Sequence, residues 1–146
     1  YTSRLSSAAS DVYKRQAWEY IRNADVCLSP YYPTPILNST SPTKLIEYMA
    51  MARPVVGNEH PEQSLIISQS RGGYCVPWDE SAFSEAIVEL LANPDKAALM
   101  GRRGRQWVAE NRTNSKMADV VEDRYRSLFD IQSRDDDRRA TTPGQG

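Results

Sequence analysis

The feature that most constrains the fold is the alternation of short apolar runs with helical patterns. Runs over residues 25–29, 53–57 and 74–78 have the length and β-branched character of strands, and Gly or Pro bounds each of them. Strands this short that alternate with helices indicate a parallel sheet whose faces are covered by helices. We therefore predict an α/β fold with a parallel sheet flanked by helices. A typical sheet has about 5–6 strands, so further strands are expected upstream of this sequence.

One stretch, residues 41–56, reads SPTKLIEYMAMARPVV and joins a predicted helix to a predicted strand. Ser41 suits the N-cap of that helix, and Pro42 suits its first position. The helix is predicted to end near Met51. Its apolar stripe, at helical spacing, consists of Leu45, Ile46, Met49 and Ala50.

Three polar side chains share another face of the same helix, because Thr43, Lys44 and Glu47 are three or four residues apart. The first turn of a helix has free backbone N–H groups, which can bind a diphosphate. Glu47, one turn further in, could accept hydrogen bonds from two vicinal hydroxyls such as those of a ribose. The alternative is an ordinary surface helix in which Lys44 and Glu47 form an ion pair. On spacing alone, the surface helix is the favoured interpretation.

A longer stretch of the sequence shifts the preference from the surface helix towards the ligand-binding interpretation. The segment PTKLIEYMAMARPVV, with GNEHPEQ and the helical residues that follow, resembles the donor-binding domain of retaining glycosyltransferases with the two-domain GT-B fold. The group is often called glycosyltransferase family four, or glycosyl transferases group 1. The resemblance covers roughly residues 17–129. It implies a partial Rossmann-like, three-layer domain, namely the second half of the C-terminal domain of such an enzyme.

The resemblance also implies roles for individual residues. In the family motif, two glutamates are separated by seven residues, and the second binds the ribose of a nucleotide-sugar; it matches Glu47. The residues that offer N–H groups to the diphosphate match Pro42, Thr43 and Lys44. The first glutamate, which contacts the donor sugar, matches Ser39, and a serine supplies no charge.

The family often has glycine where this chain has Ala52. Alanine resists the left-handed conformation that commonly ends a helix. A different turn is therefore expected after this helix.

The resemblance implies a fragment of a hexosyltransferase-type enzyme that transfers a sugar from a nucleotide-diphosphate sugar with retention of configuration. The partners implied are that donor and a missing N-terminal, acceptor-binding domain, and the parent enzyme could associate peripherally with a membrane. No cofactor and no metal is implied. The fragment alone is expected to be inactive. Two alternatives stay open: a nucleotide-sugar epimerase of GT-B architecture, and a non-catalytic nucleotide-binding module.

Composition limits the partners and the location. The 146 residues carry a formal net charge of −1, which gives no reason to expect nucleic acid as a partner. No run approaches the roughly 20 apolar residues that a membrane-spanning helix needs. The two cysteines, Cys27 and Cys75, lie in separate apolar runs and form no metal-binding pattern. A cytoplasmic protein is therefore predicted.

The chain is predicted to divide into three parts. Residues 1–16 are Ser-rich and without period, and they are interpreted as a non-native or disordered segment. Residues 17–129 form the partial donor-binding domain. Residues 130–146 are polar and charged, and a disordered tail is predicted there. Within the domain, His60 is interpreted as an exposed loop residue, and Gly72 and Gly73 as a turn with positive φ.

Overall fold

The computed structural model describes residue 13 and residues 15–140, with side chains up to residue 127. The chain divides into two compact units between Ala109 and Glu110. The helices are α1 (residues 15–23), α2 (Pro35–Asn38), α3 (Thr43–Ala50), α4 (Pro61–Ser70), α5 (Glu80–Ala92), α6 (Pro94–Asn111) and α7 (Asn114–Ala140). The strands are β1 (Cys27–Ser29), β2 (Val55–Asn58) and β3 (Gly73–Val76).

The strands form one parallel sheet in the order β1-β2-β3. Cys27 pairs with Val55 in the first ladder, and Val55 pairs with Gly73 in the second. Helices connect the strands, as parallel pairing requires. The predicted α/β fold with a parallel sheet flanked by helices is confirmed.

Each face of the sheet has its own apolar core. On one face, Val55 packs with Leu45 and Met49 of α3, and residues of α4 join them. On the other face, Val56 packs with Leu90 of α5 and with Ala97 of α6. Adjacent residues of β2 thus serve opposite cores, because successive side chains of a strand point to opposite faces. This gives the three layers, helix, sheet and helix.

Helix α3 begins at Thr43, and Pro42 occupies its N-cap position with ψ of 68° and no side-chain cap. The prediction that Ser41 caps this helix is therefore wrong. The non-helical ψ of Pro42 moves the first turn one residue along the chain, and Ser41 contributes only its carbonyl, which accepts from the Thr43 N–H at 2.9 Å. The loop predicted before α3 also contains the single turn α2, which Thr34 caps by accepting from the Leu37 N–H.

The turn after α3 has the left-handed form that the sequence argued against. Ala52 has φ of 57°, its N–H donates to the carbonyl of Met49, and the Arg53 N–H donates to that of Tyr48. This pair of bonds is a Schellman motif. The expectation of a different turn is wrong, because two hydrogen bonds and close packing by α6 offset the strain of an alanine in this conformation.

The turn before β3 also differs from its prediction. In this turn, the residue with positive φ is Arg71 (51°), and neither Gly72 nor Gly73 has a positive φ. Gly73 is needed for space instead, because a Cβ there would lie 1.8 Å from the carbonyl oxygen of Val55.

The second unit contains α7, whose described side chains are exposed, including Met117, Val120, Val121 and Tyr125. The helix continues to Ala140, whereas the sequence suggested a disordered tail from residue 130. No Gly or Pro interrupts residues 114–140, which suits a helix. Residues 141–146 lie outside the described residues, as do residues 1–12 and 14 of the segment interpreted as non-native.

None of the described helices combines enough length and apolar character to cross a bilayer. Within the same residues, no group of three or more His, Cys, Asp or Glu side chains could hold a metal ion.

Candidate functional site

A cleft of about 300 Å³ opens at the carboxyl end of β1. Its walls come from the end of β1, the loop that follows it and the first two turns of α3. The residues that line it are Leu28, Ser29, Pro30, Tyr31, Tyr32, Leu37, Lys44 and Tyr48. Lys44 and Tyr48 are four residues apart, so they share one face of α3.

The start of α3 brings together three of the predicted site residues. Thr43, Lys44 and Glu47 are all exposed, whereas Leu45 and Met49 are fully buried. This agrees with the separation of faces inferred from the spacing. Lys44 lines the cleft, while Thr43 and Glu47 lie on the adjacent exposed face of the helix.

At the start of α3, some of the backbone N–H groups already donate hydrogen bonds. The Thr43 N–H donates to the Ser41 carbonyl, and the Ile46 N–H donates to the Pro42 carbonyl at 3.4 Å. Among the described residues, no acceptor pairs with the N–H groups of Lys44 and Leu45, and no side chain caps the helix. The positive end of the helix dipole is thus not capped by a side chain of the described residues.

The other two predicted site residues have different positions. Pro42 is fully buried and has no N–H, so it shapes the turn and offers no hydrogen bond of its own. Ser39 is exposed at the end of α2, where its hydroxyl donates to the Ile36 carbonyl at 2.7 Å. The Ser39 oxygen keeps acceptor capacity after that bond.

The cleft includes the Tyr48 phenol, whose proton affinity is altered by its surroundings. Burial raises the pKa of Tyr48 above its usual value, and nearby Cys27 and Glu47 raise it further. Tyr48 therefore stays protonated at neutral pH and presents an O–H donor to the cleft.

Sequence reasoning missed a buried polar cluster beneath this cleft. Asn58, His60 and Gln63 are each at most 3% exposed, although His60 was interpreted as an exposed loop residue. That interpretation is wrong, because the His60 ring is the N-cap of α4 and contacts Leu37 and Tyr31. One local signal was available: a polar residue before Pro-Glu is typical of a helix start.

Two further clefts lie elsewhere. One of about 550 Å³ lies at the amino ends of the strands and is lined in part by Asp25, Arg53 and Arg102. Another, of about 400 Å³ and mostly apolar, lies between Leu28 and α5, beside Trp78. Neither contains a residue predicted for the site.

The fold and the cleft at the carboxyl end of β1 define the class. Open parallel α/β proteins bind their ligands in the crevice outside the carboxyl ends of the strands. The sequence profile of the family described as glycosyl transferases group 1 matches residues 9–93. The chain belongs to this family.

Two relatives agree with this assignment. Alpha-maltose-1-phosphate synthase of Mycolicibacterium smegmatis is 29% identical over an alignment of 110 positions that covers 70% of this chain and 27% of that protein. Among solved structures, sucrose-phosphate synthase from Thermosynechococcus elongatus matches with a TM-score of 0.65 and 29% identity, over 77% of this chain and 27% of that one. The chain thus spans about a quarter of the length of each relative.

Proposed function

We propose that this chain is the donor-binding part of a glycosyltransferase that transfers a sugar from a nucleotide-diphosphate sugar with retention of configuration. The observation that carries the proposal is the start of α3. There an uncapped helix tip, the exposed cation of Lys44 and the exposed carboxylate of Glu47 lie next to the cleft at the carboxyl end of β1. The names of both relatives describe synthases of phosphorylated sugars, which supports sugar transfer.

In this proposal, each residue has a distinct part. The Lys44 ammonium and the N–H groups of the helix tip bind the diphosphate, and the Thr43 hydroxyl adds a hydrogen bond. Glu47 accepts hydrogen bonds from the two ribose hydroxyls. As the bond to the sugar breaks, negative charge grows on the leaving phosphate, and donors already aimed at it stabilise that charge without reorganising. Ser39 contacts the donor sugar as a neutral group.

The first test measures the binding of nucleoside diphosphates. UDP, GDP and ADP are titrated calorimetrically into the protein, alongside their 2′,3′-dideoxy forms. Because a hydrogen bond to a charged group contributes about 1.5–3 kcal/mol, removing the ribose hydroxyls should weaken binding by roughly 10- to 100-fold. Glu47→Ala should weaken binding of the ribose form to a similar extent and leave the dideoxy form unaffected.

A matched control is Glu85→Ala, which removes an exposed carboxylate from α5 on the other face of the sheet. This variant should bind like the original chain. Equal affinity of the Glu47→Ala variant and the original chain for the ribose form would refute the role of Glu47. That result would favour the non-catalytic nucleotide-binding module.

A further inference from the structure

The loop between β1 and α3 is held by polar groups rather than by an apolar core of its own. Its side chains Tyr32 and Ile36 are 62% and 79% exposed, so little apolar burial fixes its position. Beneath it, three polar side chains from the end of β2 and the start of α4 are almost completely buried. They are Asn58, His60 and Gln63. Burying such groups is costly unless they are hydrogen-bonded, so their partners define what the cluster does.

Asn58 binds the first part of the loop at two points. Its Oδ1 accepts from the Tyr31 N–H at 2.7 Å, and its Nδ2 donates to the Tyr31 carbonyl at 2.8 Å. The amide thus pairs with the Tyr31 backbone as a neighbouring strand would, although the two residues are 27 positions apart.

His60 joins the second part of the loop to α4. Its Nδ1 accepts from the Gln63 N–H at 3.3 Å, and its Nε2 lies 3.0 Å from the Leu37 carbonyl oxygen. A carbonyl can only accept, so Nε2 carries the proton and the ring is the neutral Nε2–H tautomer. The ring also packs against Tyr31, with centroids 4.8 Å apart.

Both anchored residues, Tyr31 and Leu37, line the cleft beside Lys44. We propose that His60, together with Asn58, is a positioning residue that holds the loop over residues 30–41 in the conformation that forms this cleft. The inference rests on the proposed function in one respect only, namely that the cleft serves a nucleotide-diphosphate donor.

The test removes the hydrogen bond of His60 to the Leu37 carbonyl and keeps an acceptor for the Gln63 N–H. In His60→Asn, a short side chain keeps the best kind of N-cap acceptor for Gln63 but cannot reach the Leu37 carbonyl. We expect a moderate loss of thermal stability, because the bond to the Leu37 carbonyl and the buried ring contact with Tyr31 are lost while the N-cap is kept. Amide exchange at residues 31 and 38–40, followed by NMR, should become faster, and UDP or GDP affinity should fall about 3- to 10-fold, as the loss of one hydrogen bond implies. The control is Gln69→Ala, an exposed change on the same helix, which should leave both the amide exchange rates and the nucleotide affinity unchanged.

The tautomer gives a separate spectroscopic check. The chain has a single histidine, so its ring nitrogen signals need no assignment by mutation. They should show the Nε2–H form in the original chain. A mobile ring with mixed tautomers would overturn the inference, as would unchanged amide exchange in His60→Asn.

Faster exchange with unchanged nucleotide affinity would also overturn the positioning role. If the original chain bound no nucleotide, the proposed function would fail together with that role. The tautomer and the exchange rates would still show whether the bond to Leu37 holds the loop. Failure of the proposed nucleotide binding can therefore be distinguished from failure of His60 to hold the loop.

Discussion

At the residue scale, Ala52 stores backbone strain that a single change can remove. Its left-handed conformation costs an L-residue with a Cβ roughly 1–2 kcal/mol, and glycine takes it freely. We expect Ala52→Gly to raise the free energy of unfolding by about 1 kcal/mol, and the melting temperature by roughly 3–5 °C. Urea unfolding and calorimetry measure both quantities.

The control lies two residues earlier. Ala50 is the exposed last residue of α3, and Ala50→Gly there should destabilise the protein by roughly 0.5–1 kcal/mol, because glycine is a poor helix former. We therefore expect the alanine-to-glycine change to raise the free energy of unfolding at position 52 and to lower it at position 50. A destabilising Ala52→Gly would show that the Cβ of Ala52 contributes more by packing than its strain costs.

The two cysteines should differ in reactivity. Burial raises the pKa of Cys27 to about 11, with Arg53 partly opposing this, while Cys75 is exposed. The thiolate is the reactive form, so Cys27 stays unreactive until the pH approaches that value. At pH 8 we expect iodoacetamide to modify one thiol of the folded protein and both thiols in urea. Cys75→Ser should abolish the modification of the folded protein, and persistent labelling of Cys27 would contradict the burial.

At the element scale, α6 depends on a glycine for its contact with the end of α3. A Cβ at Gly101 would lie 2.0 Å from the carbonyl oxygen of Ala52, which is backbone and cannot rotate away. Glycine to alanine within a helix usually stabilises it by about 1 kcal/mol. Here we expect the reverse, a loss of about 1–3 kcal/mol from overpacking, measured by urea unfolding.

Gly104→Ala is the comparison for this prediction. Its Cβ would lie 3.0 Å from Cγ of Met49 and 3.4 Å from the backbone Cα of Gly72, which is much less severe than 2.0 Å from a carbonyl oxygen. The loss should therefore be smaller than at Gly101. Equal losses at the two positions would mean that a general loosening of α6, rather than the contact with Ala52, sets the cost.

The elements that the sequence predicts well are those fixed by local pattern. The stripe of Leu45 and Met49 at helical spacing predicts both the existence of α3 and the face that it buries. The same stripe predicts that Lys44 and Glu47 are exposed. These two residues are the part of the candidate site whose exposure follows from spacing alone. The apolar run around Val55 and Val56 predicts β2 for the same reason.

The features that were missed depend on contacts between distant residues. His60 is buried because its ring reaches the Leu37 carbonyl, 23 positions away, and no local pattern records that contact. Gly73 is needed because the Val55 backbone of the neighbouring strand leaves no room for a Cβ. The motif likeness leads to the prediction that residues of α3 form the site, and it gives no information on the buried groups beneath the adjoining loop.

At the scale of the whole molecule, we expect binding of a nucleotide without transfer of a sugar. The chain spans 27% of each relative. Under the proposed function, the acceptor site and the upstream strands belong to a part of the glycosyltransferase outside this sequence. The proposed donor site is the cleft beside α3. We therefore expect the protein to bind nucleoside diphosphates and yet to transfer no sugar.

A panel of UDP- and GDP-sugars with simple sugar acceptors tests this expectation, with release of the nucleoside diphosphate as the readout. Rates with the original chain should match those with Glu47→Ala and those without protein, because a bound donor without an acceptor held beside it gains nothing from proximity. Acceptor-dependent release that Glu47→Ala abolishes would show that this chain alone completes the site. It would at the same time strengthen the assignment of Glu47 to the donor, because the loss would follow from removal of that carboxylate alone.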